Sequence, residues 1–166
     1  STNVVKGILI VNDKIYISYV SENNGCYFSA ILEGNLNNKK IKFLPFFNWD
    51  ECKNLFGLNV GGNMEIFKNN KILFTVGDYN SYEDPQKQNS YYGKILSIDL
   101  DTKSIDMISM GHRNQQGLFY DSKNDIIFNT EHGPQGGDEI NVNVNPNKNK
   151  VINYGWPISS NGEHYG

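Results

Sequence analysis

A glycine-led pattern recurs every 55 residues along this chain, and that spacing limits the folds open to it. Three segments read alike: Gly7-Ile-Leu-Ile-Val-Asn-Asp-Lys-Ile-Tyr-Ile-Ser, Gly62-Asn-Met-Glu-Ile-Phe-Lys-Asn-Asn-Lys-Ile-Leu-Phe-Thr and Gly117-Leu-Phe-Tyr-Asp-Ser-Lys-Asn-Asp-Ile-Ile-Phe-Asn. Each opens on Gly, runs through a short apolar strand, turns on polar residues and re-enters a second strand at an isoleucine. The isoleucines Ile15, Ile72 and Ile126 keep nearly the same period, 57 and then 54 residues apart. Asn12-Asp13, Asn69-Asn70 and Asn124-Asp125 stand where each hairpin must reverse. Asn and Asp suit that place because they tolerate left-handed backbone and hydrogen-bond their own main chain.

Further strands are expected at Tyr27 to Leu32, Ile41 to Pro45, Ile95 to Leu100 and Ile105 to Met110, about four per repeat. Four short antiparallel strands in every unit of this length make a propeller blade. No segment carries a helical apolar stripe. The expected fold is therefore all-β, a β-propeller of about three blades over residues 1–166, with repeats starting near 7, 62 and 117. Such rings close at about four to eight blades, so the chain reads as a fragment of a six-bladed parent of roughly 330 residues.

Composition narrows the function classes. The net charge is -3 and 20% of residues are charged, which gives no basic face for nucleic acid. No apolar run approaches the roughly 20 residues that span a bilayer. The first residues lack the apolar core of a signal peptide. Cys26 and Cys52 allow one disulfide at most, and two reduced thiols are the simpler expectation.

The candidate site residues lie in loops that the repeat brings into register. Six residues beyond the marker isoleucines stand Ser21, Asp78 and His132. If successive blades run alike, these loops share one end of the propeller, where a rigid scaffold usually carries its site. Asn59 and Asn114 precede the first strands of their repeats, again 55 apart, and Arg113 adjoins the second. The most polar stretches are Gly111-His-Arg-Asn-Gln-Gln-Gly117, Thr130-Glu-His-Gly-Pro-Gln-Gly-Gly-Asp-Glu-Ile140 and Asn153-Tyr-Gly-Trp-Pro157.

These three runs, in order and at matching intervals, resemble the soluble quinone-dependent glucose/sorbosone dehydrogenases, or aldose sugar dehydrogenases. The upstream run from Gly61 to Asp78 and the run Tyr91 to Asp101 are similar to the same family. The resemblance implies a six-bladed propeller that oxidises the anomeric carbon of an aldose, with hydride passing to pyrroloquinoline quinone (PQQ) and then electrons to an external acceptor. It implies a periplasmic or secreted location. Arg113 and Asn114 would donate hydrogen bonds to the quinone oxygens, where negative charge develops. His132 would contact the cofactor. The carbonyls of Gly133 and Pro134 would hold a calcium ion, and Asp138 and Glu139 would hold the loop or a second calcium. Asp78 would sit beside the catalytic base. One departure stands out: Asn59 occupies the family's His position and Asn63 its Arg position. An amide cannot accept the substrate proton, so activity is expected to be weak or lost. The alternative is a non-catalytic propeller that binds a carbohydrate or a protein.

Other readings are weaker. Gly136-Gly-Asp-Glu-Ile140 echoes a cyclase signature that needs flanking helices. His112, His132 and His164 lack the spacing of a zinc site. Trp49 and Trp156 could stack on sugar, though buried packing is the simpler role.

Overall fold

The computed structural model describes residues 4–49, 51–54 and 59–162. They form three sheets. The first holds β1 (Val4–Val11), β2 (Lys14–Asn23), β3 (Cys26–Asn35) and β4 (Leu44–Asn48), each antiparallel to the next. The second holds β5 (Gly61–Phe67), β6 (Lys71–Val76), β7 (Lys94–Asp99) and β8 (Ile105–Met110), also antiparallel. The third holds β9 (Gln115–Asp121), β10 (Ile126–Glu131) and β11 (Glu139–Val144). The innermost strands β1, β5 and β9 are neighbours, so the sheets are arranged as blades. Among the described residues the only helical element is a 3-10 turn at Asp84–Gln86.

The hairpin turns fall where the Asn/Asp pairs stand. Asn12, Asn69, Asn70 and Asp125 all take positive φ, between 48° and 62°. The recurring glycines have a steric reason. A Cβ on Gly7 would sit 2.8 Å from the carbonyl oxygen of Gly62, and one on Gly62 would sit 2.4 Å from the Lys6 Cβ. Only glycines let β1 and β5 approach this closely. Ser18 Oγ caps the Gly62 carbonyl across the same gap.

Three expectations need correction. The fourth strand of the first sheet is Leu44–Asn48, not Ile41 to Pro45. Its position follows burial: Phe46 packs edge-on against Tyr16 at 5.0 Å and Phe47 against Trp49 at 5.3 Å, whereas Phe43 is exposed. The third sheet has three strands among the described residues. The next strand, β12 (Ile152–Asn153), instead pairs parallel with β8 on the outer edge of the second sheet. Cys26 and Cys52 form a disulfide rather than two thiols. It joins the start of β3 to a segment that pairs there through Tyr27 and Lys53. For a sequence separation of 26, closing that loop removes chain entropy equivalent to about 3.5 kcal/mol.

The core lies between the sheets. Ile72, Phe74, Val76, Leu96 and Ile98 face the first sheet, against Tyr16, Ile31, Phe46 and Trp49. Leu73, Ile95 and Ile108 face the third, against Ile127, Leu118 and Tyr120. The two end sheets each keep one apolar face open. On β1, Val5 and Ile8 are each 62% exposed, and on β11, Ile140 is 75% exposed beside Val142 and Val144. Burying such a side chain contributes about 1.5–3 kcal/mol, and these side chains forgo it. The isolated 166-residue chain is therefore expected to bind a hydrophobic dye and to associate on heating. A monomer that melts sharply and binds no dye would contradict this.

Candidate functional site

Backbone hydrogen bonds knit the ends of the second and third sheets into one layer. Tyr79 N–H donates to Asn59 O at 2.9 Å, Asp78 N–H to Arg113 O at 2.8 Å and His132 N–H to Asn114 O at 2.9 Å. The segment before β5, the β6–β7 loop, the β8–β9 loop and the β10–β11 loop therefore meet at one end. The register read from the sequence places Asp78 and His132 in loops, as expected. Ser21 does not follow, because β2 continues through it to Asn23.

Asp78 is the centre of this layer and is 1% exposed. Its Oδ1 accepts the Asn80 backbone N–H at 2.8 Å and its Oδ2 accepts the Trp156 indole N–H at 2.8 Å. Burial pushes the carboxyl up to about 6, against the pull of the Asn80 amide, the Trp156 indole, the Asn59 amide and the Arg113 charge. Asn59 is buried beside it and donates through Nδ2 to Asn80 Oδ1 at 3.1 Å. Asn63 is not in this cluster. It lies in β5 and donates across to the Gln116 carbonyl.

Arg113 reaches over the Trp156 ring, its guanidinium carbon 5.5 Å from the centroid. Its Nη1 donates to His132 O at 3.1 Å and Gly133 O at 2.8 Å. It is the only arginine in the sequence. Asn114 is buried, and its Oδ1 accepts the Gly61 N–H at 3.3 Å and the Gln116 amide at 2.7 Å. His132 and Asp138 are exposed and pair with each other, Nδ1 to Oδ2 at 3.2 Å, while Asp138 Oδ1 accepts the Gly133 N–H at 3.2 Å. Asp138 thus braces the loop. Glu139 stands opposite Glu131 in the strand pair.

Trp156 was read as packing or sugar-stacking, and the structure adds a polar task. The chain after β12 delivers it: Tyr154 N–H donates to Met110 O, Trp156 N–H to Gly111 O, and Gln86 Nε2 to Trp156 O at 2.6 Å. The loop carrying Gln86 is braced by Lys94, which is fully buried. Its ammonium donates to the carbonyls of Asp84, Pro85 and Tyr92 at 2.7, 3.0 and 2.7 Å. Asn80, His112 and Glu131 are further members of the layer that spacing alone did not single out. The only signal was that His112 and Glu131 lie inside the polar runs around Arg113 and His132.

The donor set suits one of the two implied groups. An anionic planar quinone needs a cation, hydrogen-bond donors and a flat surface, and Arg113 over Trp156 beside the Asn114 amide offers these. A calcium ion at Gly133 and Pro134 does not fit the chain as folded. The guanidinium of Arg113 holds the Gly133 carbonyl, and Pro134 O accepts the Gly137 N–H at 2.7 Å. A divalent cation there would meet a like charge at bonding distance. Among the described residues no group of three or more His, Cys, Asp or Glu side chains could hold a metal, and His164 lies outside those residues.

Known proteins share the sequence pattern and the fold of this chain. The family described as Glucose / Sorbosone dehydrogenase matches residues 10–166. Aldose sugar dehydrogenase YliI of Escherichia coli (strain K12) is 30% identical over 122 aligned residues, which is 66% of this chain and 32% of that protein. The apo crystal structure of the soluble aldose sugar dehydrogenase from Escherichia coli is 26% identical with a TM-score of 0.73, covering 89% of this chain and 46% of that one. The PQQ-bound form of aldose sugar dehydrogenase from Streptomyces coelicolor shares the fold at 24% identity and a TM-score of 0.70, covering 89% and 45%. The chain thus spans about a third of the Escherichia coli sequence relative and just under half of these solved chains. An all-β half-propeller carrying the family's sequence over nearly its whole length belongs to the glucose/sorbosone dehydrogenase family.

Proposed function

We propose that the protein represented by this chain is a PQQ-dependent aldose dehydrogenase that oxidises the anomeric carbon, with its site at the end where Asp78, Arg113 and Trp156 meet. The observation that carries the reading is that one hydrogen-bonded layer brings together a buried carboxyl and the chain's one guanidinium. When bound, PQQ supplies the hydride acceptor, and an external acceptor takes the electrons onward. Arg113 and Asn114 would hold the quinone oxygens and oppose the negative charge that grows there. Trp156 would shield one side and keep Asp78 in place. No step here runs through calcium. The Cys26–Cys52 disulfide supports a periplasmic or secreted location, since such bonds persist in oxidising compartments.

The proton is the weak point of this site. Hydride leaves the sugar carbon readily only when the attached hydroxyl loses its proton. Asn59 can hold that hydroxyl but has no lone pair basic enough to take the proton. A positioned general base is worth about 10² to 10⁴ in rate. Slow aldose oxidation is expected for the native protein, and Asn59→His should raise turnover by about ten-fold or more. Dye-coupled assays with both proteins saturated in PQQ check this. Fast native turnover that Asn59→His leaves unchanged would place the base elsewhere, and no PQQ binding by either protein would sink the functional reading.

The buried carboxyl also has a measurable signature. Asp78 is raised from an ordinary 3.8 to about 6, so the folded chain holds its proton more tightly than the unfolded chain. The stability this contributes is full below pH ~4 and is lost as pH rises through about 6. Lowering the pH from 7 to 5 should therefore stabilise the native protein relative to Asp78→Asn by about 1 kcal/mol. Parallel denaturant titrations at the two pH values read the difference. An unchanged difference would show that Asp78 is not buried as a titrating acid.

A further inference from the structure

Beneath Arg113 lies a chain of buried polar groups that takes no part in the chemistry above. Ser109 Oγ is 2.8 Å from His112 Nε2, and His112 Nδ1 is 2.7 Å from Glu131 Oε2. Ser109, His112 and Glu131 are 1%, 0% and 5% exposed. The Tyr154 ring lies against the imidazole at 4.8 Å. Glu131 Oε1 accepts the backbone N–H of Arg113, and its Oε2 also accepts the Asn141 amide at 3.2 Å. The Arg113 backbone N–H and the Asn141 Nδ2 group can only donate, so the carboxylate is the common acceptor. His112 then carries its proton on Nδ1, and its Nε2 accepts the Ser109 hydroxyl.

The direction of this chain matters because of where it ends. Glu131 is the last residue of β10, fixed by pairing to β9 and β11. Its carboxylate grips the backbone of Arg113, while the next two carbonyls, of His132 and Gly133, grip the guanidinium. Residues 131 to 133 thus hold the arginine at both ends. Burying an ionisable pair is an expensive way to join two sheets, and apolar side chains of similar volume often do so at no loss of stability. The gain must lie in what the pair positions. Ser109 is too enclosed to attack a substrate, so the resemblance to a nucleophilic triad is geometric only.

We propose that Ser109, His112 and Glu131 are positioning residues for Arg113. The relay fixes the one guanidinium at the open end of the blades, where an anionic ligand would be met. The identity of that ligand as a quinone rests on the functional reading above. The relay itself rests on the hydrogen bonds.

In a nitrogen–proton correlation spectrum of the full-length protein, the side-chain Nε–H signal of Arg113 is assigned by its loss in Arg113→Lys. The experiment measures solvent exchange of that signal, together with PQQ affinity from tryptophan quenching, in the native full-length protein and three variants. Glu131→Leu removes the acceptor. Exchange should rise and PQQ affinity fall, each by about ten-fold, the scale of a lost hydrogen bond to a charged group. Glu131→Gln keeps an acceptor for Arg113 N–H and can donate to His112 Nδ1, with the imidazole taking its other tautomer and donating to Ser109. Asn141 retains Glu139, 3.4 Å away. This variant should restore near-native exchange and affinity, which a role for the charge alone would not allow. Ser109→Ala removes the far end of the relay and should raise exchange by about three-fold. It decides the matter if Glu131→Leu fails to fold. Native-like exchange in a folded Glu131→Leu, or in Ser109→Ala if that variant alone folds, would overturn the proposal. A native full-length protein that binds no PQQ while the exchange series holds would leave the relay standing and remove the quinone reading.

Discussion

The second sheet is apolar on both faces, and the placement of the site follows from that. Along β6 and β7, Ile72, Phe74, Leu96 and Ile98 face one way and Leu73 and Ile95 the other, all within 1% of complete burial. A sheet of this kind cannot rest in water; it needs a neighbour on each side. Once the first and third sheets are seated on it, their strand ends are in register. The loops that carry Asn59, Asp78, Arg113 and His132 then have one place to go. The three cross-loop backbone bonds lock them there. The convergence of these loops at one end is thus a consequence of packing between blades.

Much of that arrangement was legible in the sequence because the devices are local. Positive-φ turns select Asn and Asp, and the close approach of β1 and β5 selects Gly7 and Gly62. What escaped was decided by tertiary pairing. Apolar character runs from Ile41 to Phe47, so pattern alone could not tell that Phe46 and Phe47 would bury and Phe43 would not. The two residues of β12 have no strand signal of their own, and their parallel pairing with β8 depends on the whole second blade. The disulfide likewise depends on the Tyr27–Lys53 pairing, which no spacing reveals.

The site divides in the same way. Arg113, Asn114 and Asp78 were marked by register and by family pattern. Their supports were not: Trp156 contributes an indole N–H from 78 residues beyond Asp78, and Glu131 reaches back 18 residues to the Arg113 amide. Such partners carry no signal in linear sequence, because a buried donor can come from any element that ends nearby. The calcium expectation meets a similar obstacle. Sequence names the Gly133 and Pro134 carbonyls but not their hydrogen-bond partners, and in the folded chain Arg113 and Gly137 donate to them.

The proposed function depends on Arg113 as the cation that would meet an anionic quinone at this end of the blades. Calorimetric titration of PQQ into the native full-length protein and into its Arg113→Met variant tests it most directly. A desolvated charge-assisted contact is worth about 1.5–3 kcal/mol, so the variant should bind about 10- to 100-fold more weakly, and the gap should narrow as salt is raised. Equal affinity for the two proteins would contradict the assignment and move the anion site away from the Asp78–Arg113 layer.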